Sequence, residues 1–203
     1  MKSSSNNLDH NSIVDLVRPG ASVLDLGCGD GVLLSRLVKE KNVKAQGIEV
    51  DAQAIYKCVA KGLSVFHGDI DSGLSEYNER SFDYVILSQS FQQVQKPDDV
   101  LKEALRVGRE VIVSFPNFAH YSARFQIAFR GKTPITPSLP YEWYNTPNLH
   151  FLSISDFIEY CGKRNIRVKK SAFVGKNRSV KMMPNLFALI GIFLITESDT
   201  GGQ

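Results

Sequence analysis

Residues 23–31 read VLDLGCGDG, an aliphatic run that ends in a glycine-rich turn. Gly27, Gly29 and Gly31 lack β-carbons, so the backbone can turn sharply there and come close to a ligand. Past the turn, Leu33, Leu34, Leu37 and Val38 recur with a period near that of an amphipathic helix. In the order strand, turn, helix, the free N–H groups of the helix start point back at the turn. Glycines also serve plain tight turns, so the downstream sequence decides the reading.

Downstream, the alternation repeats. Residues 22–26, 45–50 and 63–67 read as strands, with helices over 31–41 and 51–61 between them. Asp51 is the expected N-cap of the second helix and Gly62 its stop, while Asp30 is a candidate cap for the first. FDYVIL, residues 82–87, has the continuous apolar character of a strand buried on both faces. A helix over 98–107 follows Pro97, whose fixed backbone angle suits a helix start, and 110–115 is a fifth strand stopped by Pro116. Strands alternating with helices predict a parallel sheet covered on both faces, an α/β fold.

Regularity breaks after Asn117. Residues 119–130 look helical, but GKTPITPSLPYEWYNTPNLHF, 131–151, packs four prolines and four aromatics into 21 residues with little periodicity. A long irregular segment inside a compact domain is functional or disordered, and this one's aromatics favour an ordered lid or binding loop. Residues 155–163 read as a helix capped at Ser153 or Ser155, and 167–174 and 186–195 as two last strands that could be antiparallel neighbours. The expected organisation is one domain over 8–196 with an irregular insertion at 131–153, a disordered 1–7 and a flexible 197–203.

The composition suits a compact chain. Of 203 residues, 43% are hydrophobic and 22% charged, which excludes a disordered or fibrous chain. The net charge of +3 makes no overall case for nucleic acid, yet it is unevenly spread. Residues 1–115 carry 13 basic and 16 acidic side chains, and 116–203 carry 11 and 5, so the second half is basic at +6. That is either a solvated basic face or a surface for an acidic partner. Cys28, Cys58 and Cys161 are odd in number, widely separated and in no ligand spacing, which reads as reduced thiols in a cytosolic protein. The four histidines show no ligand spacing either, so no metal is expected. MKSSSNNLDHNS lacks the apolar run of a signal peptide, and the greasiest stretch, 186–195, is far short of the ~20 residues that span a bilayer.

The spacing of acidic residues sharpens the glycine turn. Glu49 ends the second strand 22 residues after Gly27, where a carboxylate can accept from both ribose hydroxyls of an adenosine. Asp69 follows the third strand, where it could accept from the adenine amine. The third glycine comes two residues after the second, against three in the NAD fingerprint, and Asp25 lies inside the strand end. A diphosphate disfavours that carboxylate; a sulfonium carrying an amino acid does not. Cys28 fits a small filler of the tight turn better than a nucleophile, because no base lies beside it in sequence. Gln89, Gln92 and Gln93 follow the fourth strand, as ligand contacts or as polar loop residues.

With Asp25, Gly27, Gly29 and Gly31 in D-x-G-x-G-x-G spacing, the chain resembles the class I S-adenosylmethionine (SAM)-dependent methyltransferases. The resemblance implies a Rossmann-like, seven-stranded, mostly parallel sheet in the order 3-2-1-4-5-7-6. It also implies SAM, or its product S-adenosylhomocysteine, as ligand. Asp25, Gly27, Cys28, Gly29 and Gly31 would lie against the methionyl part, Glu49 and Val50 against the ribose, Asp69 and Ile70 against the adenine, and Gln89 near the methyl.

The second half narrows the resemblance. Residues 114–157, with PYEWYNTPNLH at their centre, together with RPGASVLDLGCGDG and GIEVD, are similar to the MetW proteins of methionine biosynthesis. That resemblance implies a cytoplasmic partner and activator of homoserine O-acyltransferase, acetyl or succinyl, rather than a certain enzyme. Phe118, His120, Arg124, Tyr141, Trp143, Tyr144 and His150 become candidate contact residues. Two other classes remain open. One is a methyltransferase for a small acceptor, the loop closing over it and Tyr144 or His150 orienting it, although LSQSFQQ lacks an amide-methylating motif. The other is a nucleic-acid binder using Lys163, Arg164, Arg167, Lys169, Lys170, Lys176, Arg178 and Lys181, for which the aromatic signature of a single-strand binder is missing. No nucleic acid and no membrane are expected.

Overall fold

The computed structural model describes residues 5–176 and 178–198. In chain order the elements are α1 (Ser5–Leu16), β1 (Ser22–Leu26), α2 (Val32–Lys41), β2 (Lys44–Glu49), α3 (Ala52–Ala60), β3 (Ser64–His67), β4 (Phe82–Ser88), α4 (Pro97–Val107), β5 (Gly108–Pro116), α5 (Tyr121–Arg130), α6 (Ile154–Lys163), β6 (Ile166–Val174), α7 (Pro184–Phe187) and β7 (Ile190–Glu197). They form one seven-stranded sheet in the order β3-β2-β1-β4-β5-β7-β6. Only β7 runs against its neighbours, β5 and β6.

The period-2 geometry of strands explains the two cores. In β1 and β4, Leu24, Leu26, Val85 and Leu87 face one layer, where they meet Leu101 and Ala104 of α4 and Phe157 of α6. Val23, Tyr84 and Ile86 face the other, against Ile13, Val14 and Val17 of α1 and Leu33 and Leu37 of α2. Strand order reverses between β1 and β4, and open α/β sheets hold ligands at the carboxyl ends beside such a reversal.

Local sequence sets the element ends. Asp51 caps α3 by accepting from Gln53 N–H at 2.9 Å, and Gly62 follows in the left-handed region at φ 74°. Ser153 and Asp156 form a reciprocal capping box on α6. Pro97 opens α4.

Four expectations change. α1 was not foreseen, although Ile13, Val14 and Val17 carry helical spacing; it begins at Ser5, so residues 5–7, expected to be disordered, are helical. Residues 1–4 and 199–203 lie outside the described residues. Asp30 does not cap α2, whose N-cap is Gly31 in the left-handed region. The last strand begins at Ile190 and not at 186, because Pro184, which has no N–H to donate to a ladder, opens the short helix α7 instead.

Asn117, where the regular alternation ends, is fully buried and pins three segments. Its Nδ2 donates to Asn185 O at 3.1 Å and Ala188 O at 2.8 Å, and its Oδ1 accepts from Ala119 N–H at 3.2 Å and Ile154 N–H at 3.4 Å. Asn117→Ala is expected to cost about 2–3 kcal/mol, because buried backbone groups lose their partners. A urea titration of both proteins checks it.

Candidate ligand site

The glycine turn sits on the carboxyl ends of β1 and β2. Gly27 and Cys28 N–H donate to Ile48 O at 2.9 and 3.1 Å, which fastens the turn to β2. The left-handed backbone at Gly27, Gly29 and Gly31 explains why glycine stands at all three. At Gly27 a β-carbon would lie 2.9 Å from Ser90 Cβ, and at Gly31 one would lie 2.5 Å from Leu63 Cδ1. Around Gly29 nothing approaches within 4 Å. Gly47 in β2, not singled out from sequence, is as necessary: a β-carbon there would lie 2.6 Å from Cys28 Sγ, so its absence seats the turn.

Glu49 holds the turn as well as facing it. One carboxylate oxygen accepts from Gly29 N–H at 2.8 Å, and the other from Val50 and Asp51 N–H at 2.8 and 2.9 Å. A carboxylate offers about four lone-pair sites, so capacity remains for a hydroxyl. Val50 is exposed beside it. Asp69 and Ile70 lie at the end of β3, with Asp69 accepting from Asp71 N–H at 2.9 Å as the cap of a short 3₁₀ turn. Both of Asp71's carboxylate oxygens bind the backbone at Gln95, and one also that at Lys96, which joins that turn to the segment before α4.

Asp25 is the electrostatic centre. It is 1% exposed, and its Oδ1 has no hydrogen-bond partner among the described residues. Burial, reinforced by the Glu49 carboxylate, raises its pKa to about 7. A buried carboxyl with one idle oxygen beside a glycine cradle is what a cationic ligand would complete. Cys28 is buried and its thiol is pushed far upward, foremost by burial and then by the Asp25 charge, so it is no nucleophile.

Sequence reasoning missed the contact of α1 with the loop after β4. Asp9 of α1 is fully buried and accepts from Gln89 Nε2; burial lifts its pKa to about 6. Beside it, His10 Nδ1 is buried without a partner. Gln89 sits in the left-handed region at φ 55°, and its carbonyl accepts from Gln92 Nε2 at 2.7 Å and Gln93 Nε2 at 3.0 Å. Gln92 is buried, its Oε1 is idle, and its carbonyl accepts from Leu149 and His150 N–H at 2.9 and 3.1 Å. Hydrogen bonds thus run from α1 through Gln89 and Gln92 to the aromatic segment.

The candidate contact residues divide. Phe118 packs on Phe151 at 4.9 Å, and buried His120 caps α5. His150 Nε2 lies 3.1 Å from Val94 O, and the Arg124 guanidinium donates to Ala119 O at 2.6 Å. Trp143 and Tyr144 stand out, 72% and 70% exposed. Of the basic residues, Lys163, Arg164 and Lys169 pair with Glu159, Asp98 and Glu110. Among the described residues no helix is long and apolar enough to cross a membrane, and no cluster of three metal-ligating side chains occurs.

Two raised carboxyls give stability a pH slope. Asp25 and Asp9 titrate near 7 and 6 in the folded chain against an ordinary 3.8. Between about pH 4 and 7 these two groups hold more protons in the folded state than in the unfolded one, so their contribution to stability falls as pH rises, opposed by His10 and His120, whose pKa values burial lowers. Going from pH 5 to pH 8, the urea midpoint of wild type is expected to lose more, or gain less, than that of Asp25→Asn, which lacks the raised carboxyl.

Comparison with known proteins identifies the family and the fold. The family described as "Methionine biosynthesis protein MetW" matches residues 7–195. The "Bifunctional methionine biosynthesis protein MetXA/MetW" of Rhodopirellula baltica is 33% identical over 188 residues, 88% of this chain and 30% of that one. A ribosomal protein L11 methyltransferase of Methylobacillus flagellatus is 31% identical over 108 residues, 50% of this chain and 35% of that one. The chain thus spans about a third of the length of these curated relatives. Among solved structures, a SAM-dependent methyltransferase from Archaeoglobus fulgidus superposes with TM-score 0.69 at 14% identity, covering 95% of each chain. Magnesium protoporphyrin IX methyltransferase from Synechocystis, solved with S-adenosylhomocysteine bound, does so with TM-score 0.67 at 15% identity, covering 96% of this chain and 84% of that one. These likenesses show the fold.

Proposed function

Because the chain belongs to the MetW family of methionine biosynthesis proteins, we propose that it is a SAM-binding protein that docks on homoserine O-acyltransferase in the cytoplasm and raises its activity. The carrying observation is Asp25, a buried carboxyl with an idle oxygen beneath a left-handed glycine cradle. In this reading the main-chain turn at Gly27, Cys28, Gly29 and Gly31 takes the methionyl carboxylate side, and Asp25 faces the ammonium directly or through a water. Glu49 and Val50 take the ribose, and Asp69 and Ile70 the adenine edge. Gln89, held by Asp9, borders the sulfonium end. When bound, SAM supplies an electrophilic methyl group; S-adenosylhomocysteine does not.

The partnership rests on the Rhodopirellula relative, whose name joins MetXA and MetW in one chain. Two units that work together gain from a covalent link through effective concentration. Homoserine O-acyltransferase is the partner that the family resemblance implies. A titration of the purified protein with SAM, S-adenosylhomocysteine and NAD tests the ligand half: saturable binding of the first two and none of NAD is expected. Co-elution with the acyltransferase of the same organism tests the other half. Absence of both removes the reading.

A second reading, a methyltransferase for a small polar acceptor, is favoured by the idle Gln92 Oε1 and His10 Nδ1 near the methyl end. Methyl transfer from labelled SAM by the wild-type chain separates the two: the second reading expects it and the first does not.

A further inference from the structure

Helix α5, YSARFQIAFR, buries one residue, Ala123. A ten-residue helix is marginal in water and depends on an apolar face packed on something. Yet Tyr121, Phe125, Ile127 and Phe129 are exposed, Phe129 at 76%. Phe125 and Phe129, four residues apart, pack with tilted rings at 4.8 Å and form a ridge. Tyr121 continues it to Phe187 of α7 at 6.1 Å, beyond which Met182 and Met183 are 79% and 61% exposed. Beside this ridge opens a groove of about 840 Å³ whose lining includes the apolar Tyr121, Pro137, Met182 and Phe187 and the basic Lys176, Arg178 and Lys181. These three cations make no ion pair among the described residues, and residues 160–196 contain no acid.

We infer that the α5 ridge and this groove are the docking surface for the acyltransferase, which meets them with an apolar segment flanked by carboxylates. The inference rests on the partner reading above and adds its location, which differs from most of the contact residues expected from sequence. An exposed patch of aromatics and methionines is the composition of an interface centre, and a cationic rim selects an acidic partner and speeds its approach. The segment 131–153 borders the same groove through Pro137, and Gln126 of α5 binds Ile135 at both its amide atoms. The strap that the cofactor-side glutamines hold is thereby fastened to the docking helix.

The test is the affinity of the full chain for the acyltransferase of the same organism, wild type against F125D/F129D, with amide hydrogen exchange over 121–130. Both positions are exposed, so the variant's melting temperature serves as the folding control. The inference expects at least about a 30-fold weaker complex at an unchanged melting temperature, slowed exchange over 121–130 when the partner is added to wild type, and weaker binding at higher salt. Equal affinity of variant and wild type overturns the surface and leaves the partner reading standing. No binding by wild type overturns both; vesicles of phosphatidylglycerol and sedimentation of the chain alone then identify whether lipid or a second copy covers the ridge.

Discussion

Gly27→Val is expected to lower SAM affinity at least about 100-fold, near 2.8 kcal/mol. Two costs meet there. The backbone at φ 74° lies where a non-glycine residue is disfavoured by about 1–2 kcal/mol, more for a branched one. The new β-carbon would also stand 2.9 Å from Ser90 Cβ, and Ser90 Oγ donates to Leu26 O at 2.8 Å, so it cannot swing aside freely. Comparison with two other glycines isolates the cause. Gly20→Ala has the same φ of 74° and nothing within 4 Å, but it precedes β1, far from the turn's ligand side; it should cost stability and spare affinity. At Gly29 the backbone is also left-handed and again nothing lies within 4 Å, but that space faces the proposed ligand, so Gly29→Ala should fold and bind poorly. Calorimetric titration of the three variants with SAM reads the difference.

Phe157→Ala is expected to destabilise the chain by about 3–5 kcal/mol, the cost of emptying a large aromatic from a packed core. Phe157 is 1% exposed and its ring meets Phe115 at 5.1 Å, Phe193 at 4.9 Å and Phe91 at 5.9 Å. For a chain of 203 residues that is a fall in melting temperature of roughly 6–20 °C. Phe157→Leu retains most of the volume and should cost less than half as much. Because Phe91 opens the turn that carries Gln92, the alanine variant should also loosen the 131–153 strap, read as faster amide exchange at Leu149 and His150.

The sequence announces the sheet because its information there is local and periodic. Val23 to Leu26 and FDYVIL have the unbroken apolar character that parallel strands need, and the D-x-G-x-G-x-G spacing can be read without any long-range knowledge. The strand order and the antiparallel β7 match what the methyltransferase resemblance implies. The site was legible only where it lies on the turn and strand ends. Gly47 looks like an ordinary strand residue until the Cys28 side chain is placed against it. Asp9 and His10 precede β1 by over ten residues, and only folding brings them to Gln89; no spacing rule reports that contact. The aromatic insertion points to Tyr141, Trp143 and Tyr144, whereas the wider exposed ridge is on α5, which in sequence reads only as helical. Whether an apolar face is covered is a tertiary fact, absent from hydropathy.

SAM is an end product of methionine supply, so a SAM-binding activator could tie supply to demand. The hydrogen-bonded run from Asp9 through Gln89 and Gln92 to Leu149 and His150 supplies a physical connection between the proposed ligand site and the strap. Any such coupling must be reciprocal: if SAM changes affinity for the partner, the partner changes affinity for SAM by the same factor.

The most direct measurement is the initial rate of O-acylhomoserine formation by the acyltransferase of the same organism, with increasing amounts of this protein and at several SAM concentrations. The account predicts a saturable rise whose midpoint matches the binding affinity and shifts with SAM. A flat rate at every concentration, with no co-elution of the two proteins, would contradict it.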